Sequence, residues 1–190
     1  MTARPLVAPA RLGHDHQRGS CSASVTLLEY GDYQCPHCGV AHAFVESARL
    51  RINDDLRFAF RHFPLSAFHP RATRAAEAAE AAGEQGRFWA MHDLLFENQR
   101  ALEDDDLLLY AEEIGLNVPR FARELAAAVY ASRVRDDCQS GIDSGVTVTP
   151  TFFINNRRYV GAYDVDSLVR AIERARPRPV SPLPGSDVPR

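Results

Sequence analysis

The stretch Val25-Thr26-Leu27-Leu28-Glu29-Tyr30-Gly31-Asp32-Tyr33-Gln34-Cys35-Pro36-His37-Cys38 carries a strand-like run straight into two cysteines separated by two residues. Such a pair can bring its sulfurs within bonding reach in a single helical turn. One sulfur can then be made a thiolate while the other resolves the adduct. The thiolate is the nucleophile, and a helix N-terminus stabilises it through free N–H groups and the macrodipole. Pro36 suits the first helical turn, where no N–H donor is needed, so it helps to start a helix there. His37, when protonated, is a second stabiliser of the anion.

Outward from the motif, Val40, Phe44, Ala48 and Ile52 recur at i+4 and predict a helix that buries one stripe. Leu56, Phe58 and Phe60 alternate with Arg57, Ala59 and Arg61, the period of a strand, so the motif sits at the strand-to-helix turn of a β–α–β unit. The period then changes. An alanine-rich helix over 71–82 ends at Gly83, and a second helix is marked by Phe88, Met91, His92 and Leu95. Asp104, Asp105 and Asp106 start a third helix, where the dipole favours acidic groups. Asn117 can cap a fourth, with Pro119 in its first turn and Phe121, Leu125 and Val129 on one face. Val134, Cys138 and Ile142 continue an apolar row. Strand character returns at 151–154 and 158–160 around Asn155-Asn156, and a helix follows over 166–175. The expected division is an arm without periodicity over 1–20, an α/β domain from 21–64 and 146–176, an all-helical insertion over 65–145, and a proline-rich tail over 177–190.

The chain has 190 residues and a formal net charge of −3, which argues against nucleic acid or an anionic membrane as the main partner. All 22 basic residues are arginine, so Schiff-base chemistry, a P-loop lysine and a lysine-activated serine are excluded. Four cysteines, Cys21, Cys35, Cys38 and Cys138, are too few for a disulfide scaffold in a chain of this size. Pro5 and Pro9 interrupt the apolar residues of the first twenty, and no segment approaches a membrane span. The cytoplasm is the expected compartment, and no cofactor or metal is expected.

Gly145-Val146-Thr147-Val148-Thr149-Pro150-Thr151-Phe152-Phe153-Ile154-Asn155 is the second informative stretch. A proline entering a strand is tolerated at an edge or first position. Beside an upstream CxxC it can instead be a cis-proline whose loop lies against the cysteines. With these two stretches the chain resembles the DsbA-like thiol–disulfide oxidoreductases, which have a thioredoxin fold with a helical insertion. The order of elements matches over about 25–175. The resemblance implies that Cys35 is the exposed nucleophile, Cys38 its buried partner, and Pro150 cis, with Pro36, Thr149 and Pro150 contacting substrate. It also implies that Glu29 is a buried carboxylate exchanging protons with Cys38; strand alternation alone equally allows Glu29 to face solvent. Thr149 stands where the best-known oxidants of the family carry valine.

The implied partners are protein or low-molecular-weight thiols and a redox-recycling protein. The alternative is a non-catalytic zinc-binding or chaperone-like module that uses the cysteines structurally, although a lone CxxC lacks the second close pair that zinc wants. Asp32 reads as a turn residue. His14, His16 and Cys21 resemble ligands in a loose arm. His42 and His92 lie on helix patterns, and His62 and His69 flank prolines without assigned chemistry. Cys138 reads as a buried free thiol, with a Cys21–Cys138 disulfide as the other possibility.

Overall fold

The computed structural model describes residues 5–11 and 13–177. Its central sheet has the order β1-β3-β2-β4-β5, built from His16–Arg18 (β1), Val25–Gly31 (β2), Leu56–His62 (β3), Thr151–Ile154 (β4) and Arg157–Arg158 (β5). Helix α1, Pro36–Ile52, joins β2 to β3, which pair in parallel; the other pairings are antiparallel. Between β3 and β4 come α2 (Ala72–Gly83), α3 (Phe88–Glu97), α4 (Asp104–Glu113), α5 (Val118–Ala126) and α6 (Ala131–Asp143). Helix α7, Val165–Ala175, closes the domain and packs on α1. This is the α/β fold with inserted helices expected from the sequence. Asn155 and Asn156, at φ 45° and 67°, make the tight turn between β4 and β5.

Both faces of the sheet are covered, and that positions the site. Leu27, Phe58, Phe60 and Phe152 join α1, α7 and the inserted helices in the main core. Leu28, Tyr30, Ala59 and Phe153 face the opposite way, against Leu6, Phe63 and Val146. Side chains alternate along a strand, so Glu29 shares the face of Leu27 and looks toward α1. Neither parity of β2 leads to solvent, and Glu29 is buried.

The structure differs from the sequence expectation at several points. The described part of the first twenty residues is not a loose arm. Arg61, buried on β3, uses all five donors on that segment and its neighbour Tyr30: Nε and Nη2 to Asp15 at 2.7 and 3.0 Å, Nη1 to Ala8 O at 2.7 Å and Tyr30 Oη at 3.0 Å, Nη2 to Pro9 O at 3.2 Å. A fully satisfied guanidinium draws in backbone that has no apolar period of its own. On α1 the buried stripe is Cys38, Ala41, Phe44, Val45, Ala48 and Ile52, while Val40 is 67% exposed. Val129 lies beyond α5 and is exposed. On α6 the buried face is Val134, Asp137 and Gly141, leaving Ile142 outside. Gly141 is required there because a side chain would strike the Phe63 ring at 2.6 Å. The last strand is Arg157–Arg158 rather than 158–160. All but the first residue of the 177–190 tail lies outside the described residues.

Candidate active site

Cys35 is the N-cap of α1, with extended backbone (φ −72°, ψ 119°) and Pro36 in the first turn. Its carbonyl accepts the first helical bonds, from Cys38 N at 3.0 Å and Gly39 N at 3.2 Å. Both motif cysteines are free thiols here, as are Cys21 and Cys138. The hydrogen bond from Cys38 is the largest influence holding the Cys35 thiol down, to about 5, and it outweighs the cost of burial. Thr149 and the N–H groups of Cys38 and His37 add to it. The neighbouring thiol is driven the other way: burial, the hydrogen bond to Cys35 and the charge of Glu29 push Cys38 well above the ordinary thiol value. One sulfur is therefore a thiolate at neutral pH and the other a protonated thiol.

The resemblance implied an exposed nucleophile, yet Cys35 is only 4% exposed. The reason is the Thr149–Pro150 loop, which brings Thr149 O within 3.5 Å of Cys35 Sγ. The Thr149–Pro150 peptide bond is cis. His37 contributes its backbone N–H to the sulfur, while its exposed ring lines a groove of about 350 Å³ with Val40, Phe44, Val148, Thr149, Pro150 and Tyr163. Pro36 lies instead along a separate depression with Gln34, Arg71 and Gln99. Burial first, and the Cys35 charge second, push Glu29 up to about 8; its Oε1 has no hydrogen-bond partner. Gly31 stays small because a side chain there would collide with Phe60 and Glu29 Oε1.

Other expected residues fall elsewhere. His14, His16 and Cys21 do not converge: His16 bonds Glu80 at 2.9 Å and stacks on Phe88, and Cys21 is exposed. Among the described residues, two groups place donor atoms close enough to hold a cation, His42–His92–Asp93 and His62–Glu80–Asp137. In each an arginine already holds a carboxylate, Arg18 on both Asp93 oxygens at 2.7 Å and Arg133 on Asp137 at 3.0 Å, so both are self-neutralising ion-pair networks. Neither includes Cys35 or Cys38. Residues missed in the sequence are those of the groove, Val40, Phe44, Val148 and Tyr163, and two polar contacts on the motif turn, His69 and Gln99. Helix periodicity marks Val40 and Phe44 only as core, Val148 lies in the stretch around Pro150 without a role of its own, and Tyr163, His69 and Gln99 carry no local signal.

A family model described as thioredoxin matches residues 11–174. The chain belongs to the thioredoxin family. Among solved structures, this thioredoxin-family chain is similar to BdbD from Bacillus subtilis in its fold, at 24% identity and a TM-score of 0.76 over 92% of this chain and 96% of that one. A thioredoxin-like oxidoreductase from Silicibacter pomeroyi matches at 26% identity and a TM-score of 0.76, over 86% and 92% of the two chains. The resemblance to DsbA-like oxidoreductases thus holds, and the cysteine pair that such enzymes need is present. A curated relative, the Na(+)/H(+) antiporter NhaA 1 of Salinispora arenicola, is 45% identical over 170 residues, 90% of this chain and 26% of that protein. The chain spans about a quarter of the length of the curated relatives it matches. Among the described residues no helix is long and apolar enough to cross a membrane.

Proposed function

We propose that this chain is a thiol–disulfide oxidoreductase that works through a mixed disulfide on Cys35. The observation that carries the reading is the opposed acidity of two sulfurs one helical turn apart. In the oxidised enzyme a substrate thiolate attacks Cys35 Sγ, a substrate–Cys35 disulfide forms, and Cys38 leaves and takes a proton. Glu29, buried nearby and protonated over much of the neutral range, is the group placed to supply that proton. A second substrate thiolate then attacks the substrate sulfur, Cys35 leaves as a stable thiolate, and two electrons have passed to the enzyme. An acidic leaving thiol makes the disulfide form an oxidant. Glu29, His37, Thr149 and Pro150 serve the two cysteines in this scheme, with the apolar groove beside Pro150 receiving the substrate chain.

The substrates are protein thiols, and a partner that reoxidises the Cys35–Cys38 dithiol completes the cycle. In the longer antiporters the matching quarter is, on this reading, a redox module and not the transport machinery. A cytoplasmic location is part of the proposal; there the thiol poise draws the acidic pair toward the dithiol, and the recycling partner works against it. Cell fractionation with an antibody to the chain tests that point, and recovery outside the cytoplasmic fraction would overturn it. For the activity, Cys38→Ser should accumulate mixed disulfides on Cys35, Cys35→Ser should be inert, and Cys21→Ser with Cys138→Ser should leave exchange intact. Exchange that survives loss of Cys35 would refute the assignment.

A further inference from the structure

Asp32 closes the turn between β2 and α1, and its buried carboxylate accepts four N–H donors. Oδ1 takes Gln34 N at 2.8 Å and Cys35 N at 3.2 Å. Oδ2 takes Leu65 N and His69 Nδ1, each at 2.8 Å. The three backbone N–H groups can only donate, and a carboxylate acceptor selects the His69 tautomer that carries its proton on Nδ1. Two donors belong to the motif turn itself and two to the segment that leads from β3 into α2. His69 is the one side chain of the four, and 19% of that side chain is exposed.

That arrangement ties a remote loop to the nucleophile. Cys35 N is shared between Asp32 O at 3.1 Å and Asp32 Oδ1, so the Cys35 backbone cannot turn without breaking its contacts with Asp32. The orientation of Cys35 decides where Sγ lies relative to the His37 and Cys38 N–H groups. The turn is held from the inserted helices as well: Gln34 Oε1 accepts from Arg71 N at 2.7 Å, and Gln99 Nε2 donates to Tyr33 O and Cys35 O at 2.8 Å each. Gly39 leaves the room that Gln99 needs.

We propose that His69 is a positioning residue for disulfide exchange, its Nδ1–H holding the Asp32 carboxylate in the orientation that fixes the backbone of Cys35. The inference rests on the proposed exchange at Cys35. Loss of the donor therefore acts on Cys35 through the geometry of its backbone.

The test uses the full chain, reduced, with the pH midpoint of Cys35 alkylation read residue by residue by mass spectrometry and unfolding curves taken in parallel. His69→Ala should raise the midpoint by roughly half to one pH unit, leaving about two- to fivefold less thiolate at pH 5. His69→Asn, whose amide can stand where Nδ1 stood, should restore the wild-type midpoint. His69→Gln, with the donor displaced by one carbon, should fall between them and serves if the alanine variant does not fold. A loss of stability with an unmoved midpoint in both His69→Ala and His69→Gln overturns the positioning role. Wild-type protein that exchanges no disulfide would instead overturn the activity, so the two failures are told apart.

Discussion

Glu29 near the end of β2 and Asp32 in the turn after it are each 2% exposed, and they differ in what surrounds their oxygens. Asp32 is met by four N–H groups, two from its own turn and two from the loop after β3. Glu29 sits among the Phe60 and Phe152 side of the sheet, and one of its oxygens meets no donor. A carboxylate that is fully hydrogen-bonded is a structural anion; one that is buried without donors is costly to ionise and so holds its proton. Only Tyr30 and Gly31 separate a carboxylate ringed by donors from one with an oxygen that meets none.

The largest expected effect comes from relieving Glu29. Its folded pKa, about 8, lies above the unfolded carboxylate value, so its burial is harmless below about 4.5 and costs stability as the pH rises toward 8. Glu29→Gln should therefore be more stable than wild type at pH 8, by up to about 4 kcal/mol, with the gain shrinking toward zero near pH 4.5. Denaturant unfolding at the two pH values checks this, and a gain independent of pH would erase the contrast with Asp32. The same variant should release Cys38 more slowly in exchange.

Asp32→Ala should act in the opposite sense. It strands the part-buried N–H donors of Gln34 and Leu65 and leaves the buried Cys35 N–H with Asp32 O alone, which should cost roughly 3 kcal/mol. Equal unfolding midpoints for Asp32→Ala and wild type would show that the turn does not need its anion.

The two redox states sharpen the same contrast. The Cys35 thiol is depressed to about 5 in the folded, reduced protein, so its contribution is complete above the unfolded thiol value and is lost as the pH falls through 5. The reduced protein should gain roughly 2 kcal/mol on the oxidised one between pH 5 and pH 7. Thermal unfolding of both forms across that range reads the difference directly. The smallest effect belongs to Gln99→Ala. Cys35 O keeps its helical donors, so the loss should be about 1 kcal/mol, with Tyr33 O left to find water.

What could be read in the sequence was contiguous or periodic. Cys35-Pro36-His37-Cys38 carries its helix start in its own residues, and the β–α–β order around it follows from alternation and i+4 spacing. Thr149-Pro150 is distant in sequence but local as a signal. Asp32 could be read as a turn residue, though not as the acceptor of His69, because that contact depends on where the loop after β3 folds back. Asp15, Ala8 and Pro9 gather around Arg61 by polar and main-chain contacts, which leave no hydrophobic period to detect. The groove beside Pro150 draws Val40, Val148 and Tyr163 from three segments, none of which alone points to a shared groove.

The most direct test of the central claim is the thiolate absorbance of the reduced protein followed against pH, with Cys35→Ser as the reference. The difference curve should show a single titration near pH 5, with iodoacetamide labelling Cys35 ahead of Cys38 throughout. A midpoint at the ordinary thiol value of about 8.5, or labelling of Cys38 ahead of Cys35, would contradict the account.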